Sequence, residues 1–178
     1  MDEILKYEPE FTEAKFKTYA DNIFIQLHLA LVTKELENIK HFVSDEVYNK
    51  YQSKLDELNK KHLIQMYDEI NVAQTDILSY KVDNENMIIE VNILSRYLDY
   101  LMDEDGNYVS GDTDIRTEKN NHLVFTKKIN YEKSKTVRKC PGCGASIDVN
   151  ANGKCEYCGT IYNLEDKDWV LKSIDIKE

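Results

Sequence analysis

All four cysteines of the chain fall in one stretch, Cys140-Pro-Gly-Cys143-Gly144 to Cys155-Glu-Tyr-Cys158-Gly159. They form two Cys-x-x-Cys pairs with eleven residues between them. Two residues between cysteines let one tight turn aim both sulfurs at a point, and Zn2+ takes four such thiolates tetrahedrally at ~2.3 Å. A glycine follows each pair, where a positive φ meets no Cβ clash. The spacing predicts a zinc ribbon in which Cys140, Cys143, Cys155 and Cys158 hold one structural Zn2+. The intervening residues predict a small hairpin: Ser146 to Val149, a turn over Asn150 to Gly153, then the second knuckle.

Other uses of four cysteines fit less well. A redox dithiol has a single Cys-x-x-Cys opening a helix. Two disulfides need an oxidising compartment, and no secretory signal opens the sequence, so a cytoplasmic or cytoplasm-like location is expected. A catalytic zinc keeps one coordination position open, whereas four thiolates close it. Such a site carries about two uncompensated negative charges, and Arg138, Lys139 and Lys154 lie close in sequence to soften them.

The 178 residues suffice for one domain with a core and a small appendage. With 33 acidic against 23 basic residues the formal charge is −10, which opposes phosphate-driven binding of nucleic acid and attraction to an anionic membrane. No apolar run approaches the ~20 residues that span a bilayer. Four of the six glycines lie in the ribbon, so regular structure is expected elsewhere.

Residues 1–10 read as an acidic lead-in. From Thr12, the residues Phe16, Tyr19, Ile23, Phe24, Leu27 and Leu31 recur at helical spacing, with His28 beside them as a packed or surface histidine. A shorter helix carries Leu36, Ile39 and Phe42. Ser44-Asp45-Glu46 supplies a cap and an acidic first turn for a third helix through Val47, Tyr48, Tyr51, Leu55 and Leu58. His41 and His62 flank it with no visible partner. Strands are expected over Ile70 to Val82 (bent near Thr75), over Met87 to Met102, from Tyr108, and over Leu123 to Tyr131. Asp112 to Asn121 reads as a charged, polar stretch, and Trp169 to Ile174 as a final strand. Helices followed by an antiparallel meander predict an α+β fold with the helices on one face of the sheet. The ribbon, 135–165, then inserts into a domain made of 11–134 and 166–178.

Phe42-Val-Ser-Asp-Glu-Val47, Arg96-Tyr-Leu-Asp-Tyr100, Gly111-Asp112, Cys140-Pro-Gly-Cys-Gly-Ala145, Gly153-Lys-Cys-Glu-Tyr-Cys-Gly159 and Trp169-Val-Leu171 occur in that order. Over residues 11 to 176 the sequence resembles bacterial Tim-forty-four-like domain proteins with an embedded zinc ribbon. These are relatives of the C-terminal domain of the mitochondrial inner-membrane import-motor scaffold subunit. The resemblance implies a cone-shaped fold similar to nuclear transport factor two, its curved antiparallel sheet wrapped by helices around a pocket. It carries over the four zinc cysteines alone as functional residues. The upstream membrane or signal-like segment of many relatives is not in this sequence, nor are the long amphipathic N-terminal segments of the mitochondrial proteins. A role in protein import does not transfer on fold alone.

Three functions follow. The first is a non-enzymatic interaction or scaffold module with a protein partner, consistent with a closed metal site, no nucleophile motif and the scaffold-domain resemblance. A homodimer is compatible with it, and an association with membrane or protein-transport machinery is what the resemblance implies. The second is a small-molecule binder or acid–base enzyme, with Asp99 and Tyr97 on one strand face as candidates and Arg96 and Tyr100 on the other. The third is a nucleic-acid-binding ribbon resting on Lys133, Lys135, Arg138 and Lys139. The acidic residues Asp103, Glu104, Asp105, Asp112 and Asp114 do not match a calcium-loop spacing and read as solvated hairpin ends.

Overall fold

The computed structural model describes residues 1–129, 138–147 and 152–177. Helices α1 (Asp2–Leu5), α2 (Glu13–Thr33), a 3-10 helix (Leu36–Phe42) and α3 (Asp45–Lys60) precede strands β1 (Leu63–Val82), β2 (Asn86–Asp103), β3 (Tyr108–Gly111) and β4 (Thr117–Lys128). The ribbon strands β5 (Arg138–Lys139) and β6 (Ser146–Ile147) come next, and β7 (Val170–Lys177) closes the chain. The main sheet is antiparallel in the order β1-β2-β4-β7, and β3 pairs with the end of β2 beyond β4. The fold is α+β, with the helices packed on a curved sheet in the cone arrangement of nuclear transport factor two.

Local chemistry starts α2 and α3 where the sequence signals it. Thr12 accepts from the Lys15 amide at 3.3 Å, and Ser44 from the Val47 amide at 3.2 Å, removing orphan donors of the first turn. The apolar side of α2 buries Phe16, Ala20, Ile23, Phe24, Leu27 and Leu31. It shares one buried core with the alternate residues Met87, Ile89, Val91 and Ile93 of β2 and Leu123 and Phe125 of β4. Each such large side chain withdrawn from water contributes about 1.5–3 kcal/mol. Phe16 sets its ring edge-on to Phe125 at 5.4 Å and to Trp169 at 5.2 Å.

Four features depart from the sequence reading. The segment 36–42 is a 3-10 helix rather than an α-helix. Strand β1 starts seven residues early, at Leu63, and its register breaks at 68/71, 72/74 and 77/79, with Glu69 at φ 53°. Strand β4 runs through the polar stretch from Thr117, because Asn121 is satisfied inside: its amide donates to Ile93 O (3.1 Å) and Ser95 Oγ (3.0 Å). The first ten residues contribute α1, whose Ile4 is fully buried in the core. Glu8 also pairs with Lys127 and accepts from Trp169 Nε1 at 3.2 Å. The strand end at Tyr131 lies outside the described residues.

Candidate functional site

The two knuckles are built alike. In the first, the Cys140 amide donates to Ala145 O (2.8 Å) and the Gly144 amide to Cys140 O (2.9 Å); in the second, Cys155 donates to Thr160 O and Gly159 to Cys155 O, both at 2.9 Å. Gly144 and Gly159 take φ of 74° and 75°, which glycine adopts without steric cost. The hairpin differs from the one expected between the pairs. Ser146–Ile147 pairs back across the first knuckle with Arg138–Lys139, and a Lys154–Ile161 bridge closes the second. A two-residue ligand turn is itself a hairpin tip, so each pair carries its own. The expected strand and turn residues Asp148, Val149, Asn150 and Ala151 lie outside the described residues.

These paired turns bring all four sulfurs within 4.8 Å of one another. Cys140 and Cys158 stand 3.6 Å apart, Cys143 and Cys155 3.8 Å. A tetrahedral ion with ~2.3 Å thiolate bonds requires about 3.8 Å between sulfurs, so the donor set fits a four-coordinate metal ion. Cys140 and Cys155 are buried, and Cys143 and Cys158 face outward. Ile147 and Tyr162 complete the ribbon's own small apolar centre.

The ribbon is docked against the helical layer. The Nδ1–H of His41 donates to Tyr162 O at 3.0 Å, and the Leu164 amide donates to His41 O at 2.9 Å. Gly153 lies beneath this contact at φ 78°, where a Cβ would fall 2.4 Å from His41 Nδ1. His41 therefore has partners that no local pattern signals, and His62 has one in Glu104 at 3.2 Å. Arg138 is engaged away from the thiolates: it donates to Asn163 O and Oδ1 at 2.7 Å, pairs with Asp166 at 3.0 Å, and lies over the Tyr162 ring. Of the three cations expected to offset the sulfurs, Arg138 instead holds the docking segment. Lys133 and Lys135 lie outside the described residues.

A second feature is a cavity of about 450 Å3 between the helices and the sheet. The expected pair Tyr97 and Asp99 both line it, the first buried and the second exposed. His28, Tyr51, Lys54 and Tyr67 join them. These four escaped the sequence reading because α2, α3 and β1 each contribute one or two, with no shared motif. The Lys54 ammonium donates to the Tyr67 hydroxyl at 2.8 Å and lies over its ring. Tyr67 meets Tyr97 edge-on at 5.2 Å. Burial depresses His28 to a pKa of about 4, so the imidazole is neutral near pH 7, and its Nδ1 donates to Phe24 O at 2.8 Å. Burial also lowers Lys54 and raises Tyr51, Tyr67 and Tyr97.

The acidic hairpin ends bond their own turns. Asp103 accepts from the amides of Asp105 and Asn107, and Asp112 from those of Asp114 and Ile115. Among the described residues no helix is long and apolar enough to cross a membrane.

The Tim44-like domain family model matches residues 1–136. The chain belongs to the Tim44-like domain family. The family match starts at the first residue and ends before Cys140, so all four cysteines lie beyond it, whereas the sequence resemblance spans residues 11 to 176. Among solved structures, the intermembrane space region of the chloroplast protein ARC6 is similar at 10% identity, over 90% of this chain and 95% of that one, with a TM-score of 0.48. No curated protein matches the sequence.

Proposed function

We propose that this Tim44-like domain is a non-enzymatic scaffold that binds a protein partner, its ribbon kept rigid by one structural Zn2+. Thiolate donors favour zinc among the abundant ions, and four of them leave no open position for substrate. The reading needs a reducing, cytoplasm-like compartment, where thiols stay free to hold metal. Net charge turns it away from nucleic acid. One observation carries it: the ribbon is anchored through His41, Gly153 and Leu164, while Tyr157, between Cys155 and Cys158, is 78% exposed. An aromatic held outward on a rigid, anchored tip loses little freedom on docking, as interface anchors require.

A photo-crosslinking residue in place of Tyr157, tested in native cells, checks the reading. One dominant protein adduct, lost in the Cys140→Ser background, is expected. Diffuse adducts matching those from a probe at exposed Ser53 on α3 would overturn it.

A second reading, acid–base catalysis by Asp99 with Tyr97, is supported by their shared cavity. Turnover of a small-molecule panel that Asp99→Asn abolishes would establish it in place of the first.

A further inference from the structure

The cavity described above has a charge balance opposite to that of the chain. Lys54 lies in its wall and Lys50 and Lys119 also line it, against the single carboxylate of Asp99, whereas the whole protein is at −10. Asp99 is already engaged, accepting from Gln65 Nε2 at 2.8 Å. Lys50 donates to Ile174 O at 3.1 Å and pairs with Asp175 at 3.9 Å, so Lys54 and Lys119 carry the positive balance. Lys54 has the Tyr67 hydroxyl as its hydrogen-bond partner and, among the described residues, no carboxylate within ion-pair distance. Lys54 is exposed as a residue, yet its ammonium end is held against the Tyr67 ring and hydroxyl. An ammonium fixed there without a contacting anion can take one as a charge-assisted hydrogen-bond partner.

The remaining polar atoms point the same way. Tyr97 is only 3% exposed. Neither its hydroxyl nor that of Tyr51 has a hydrogen-bond partner among the described residues, and both line the cavity. A hydroxyl without a partner can donate to an acceptor that enters. His28, neutral and tied to Phe24 O, supplies wall rather than a second cation. Ile174 and Ile176 provide the apolar part of the lining. The cavity contains no arginine fork of the kind that planar recognition of phosphate uses. Its volume is in the range of small-molecule sites.

We propose that this cavity binds a small organic monoanion, a carboxylate on a compact apolar body. Lys54 Nζ and the hydroxyls of Tyr51 and Tyr97 donate to the carboxylate, and the body lies along the tyrosine rings and Ile174. The site is separate from the ribbon tip, so it stands or falls independently of the protein partner.

Calorimetry on the full, metal-loaded chain tests this with three probes of one body and different heads: sodium 4-phenylbutyrate, 4-phenylbutanamide and 4-phenylbutylamine. The acid is expected to bind saturably at one per chain, about tenfold or more tighter than the amide, since hydrogen bonds to a charged group are the stronger ones. Lys54→Met should bring the acid down to the amide's affinity. Tyr97→Phe should weaken the acid by a few fold while leaving the amine unchanged. Thermal melting of both variants establishes that they fold, and if Lys54→Met does not, Tyr97→Phe alone decides. Equal binding of acid and amide, untouched by either variant, would make the cavity merely apolar and overturn the proposal. Preference for the amine would assign the site to Asp99 and overturn it too, as would no saturable binding of any probe.

Discussion

His41 on the 3-10 helix and Tyr162 in the ribbon, 121 residues apart in sequence, are joined by a hydrogen bond of 3.0 Å. With the Leu164 amide returning to His41 O at 2.9 Å, this residue clamps the cysteine-bearing unit to the helical layer from both its side chain and its backbone. The ribbon is thus inserted in the sequence yet fixed in space.

Elemental analysis should find one zinc per chain. In metal-loaded protein the four thiols should be protected, and a thiol reagent should count four only after chelation. Four freely reactive thiols beside bound zinc would rule out the four-cysteine site.

Chelation, or Cys155→Ser, should unfold the ribbon while the helix–sheet core survives, because a module this small lacks a sufficient core of its own. About 40 residues connect β4 to β7. Loosening that link from an effective ~10 residues costs ~1.2 kcal/mol, and losing two docking hydrogen bonds adds ~1–3 kcal/mol. The melting temperature should drop by roughly 5–15 °C. Trp169, buried against Phe16, should keep its native emission. Loss of that emission in step with zinc release would show that core and ribbon fold as one.

Gly153→Ala should weaken docking selectively. The left-handed backbone costs ~1–2 kcal/mol with a Cβ present, and that Cβ would press on His41. Gly106→Ala is the control: its φ is also positive, at 85°, but a Cβ there meets nothing within 4 Å. Hydrogen exchange at the Leu164 amide should accelerate in the first variant and not in the second.

Ile4→Ala should destabilise the domain by about 2–5 kcal/mol, the usual cost of emptying a buried aliphatic site. Urea unfolding measures it. A cost below ~0.5 kcal/mol would return residues 1–10 to the status of a lead-in.

Acid should reveal His28. Its folded pKa of about 4 lies below the ordinary value of 6.5, so between these values the unfolded chain binds the extra proton and stability falls as pH falls. The loss approaches ~3 kcal/mol by pH 4. His28→Gln should flatten the dependence of the urea midpoint between pH 7 and 4.5, and an unchanged slope would mean that the ring already carries charge when folded.

What could be read from sequence alone was whatever a few neighbouring residues determine. The α2 stripe, the Ser44 cap and the alternation Met87–Ile89–Val91–Ile93 each declare a face or an end within one or two turns of chain. Strand 117–121 stayed hidden because its inward residue is Asn121, whose amide is satisfied by Ser95 and Ile93 of another strand. His41 looked unpartnered because its acceptor comes from the far end of the sequence. The clustering of the ribbon's four cysteines was legible as two spaced pairs, but its strand pairing was not, since a two-residue turn can join strands on either side. Tyr97 and Asp99 could be placed on one strand by spacing; the lysine, histidine and tyrosines that complete their cavity come from three other elements and leave no local signature.

The main sheet ends in two unlike borders. On β1 three register breaks and a residue at positive φ kink a twenty-residue strand. On β7 the chain is covered: Val43 bridges Leu171, the Ser44 amide and hydroxyl donate to Leu171 O and Lys172 O, and Lys50 donates to Ile174 O. A flat, bare strand edge is the template on which fibrils grow and copies fuse, and over Leu171 to Ile174 β7 offers none. Over that stretch the backbone of β7 is occupied by its own helical layer, so a further strand cannot add there without first displacing Val43 and Ser44.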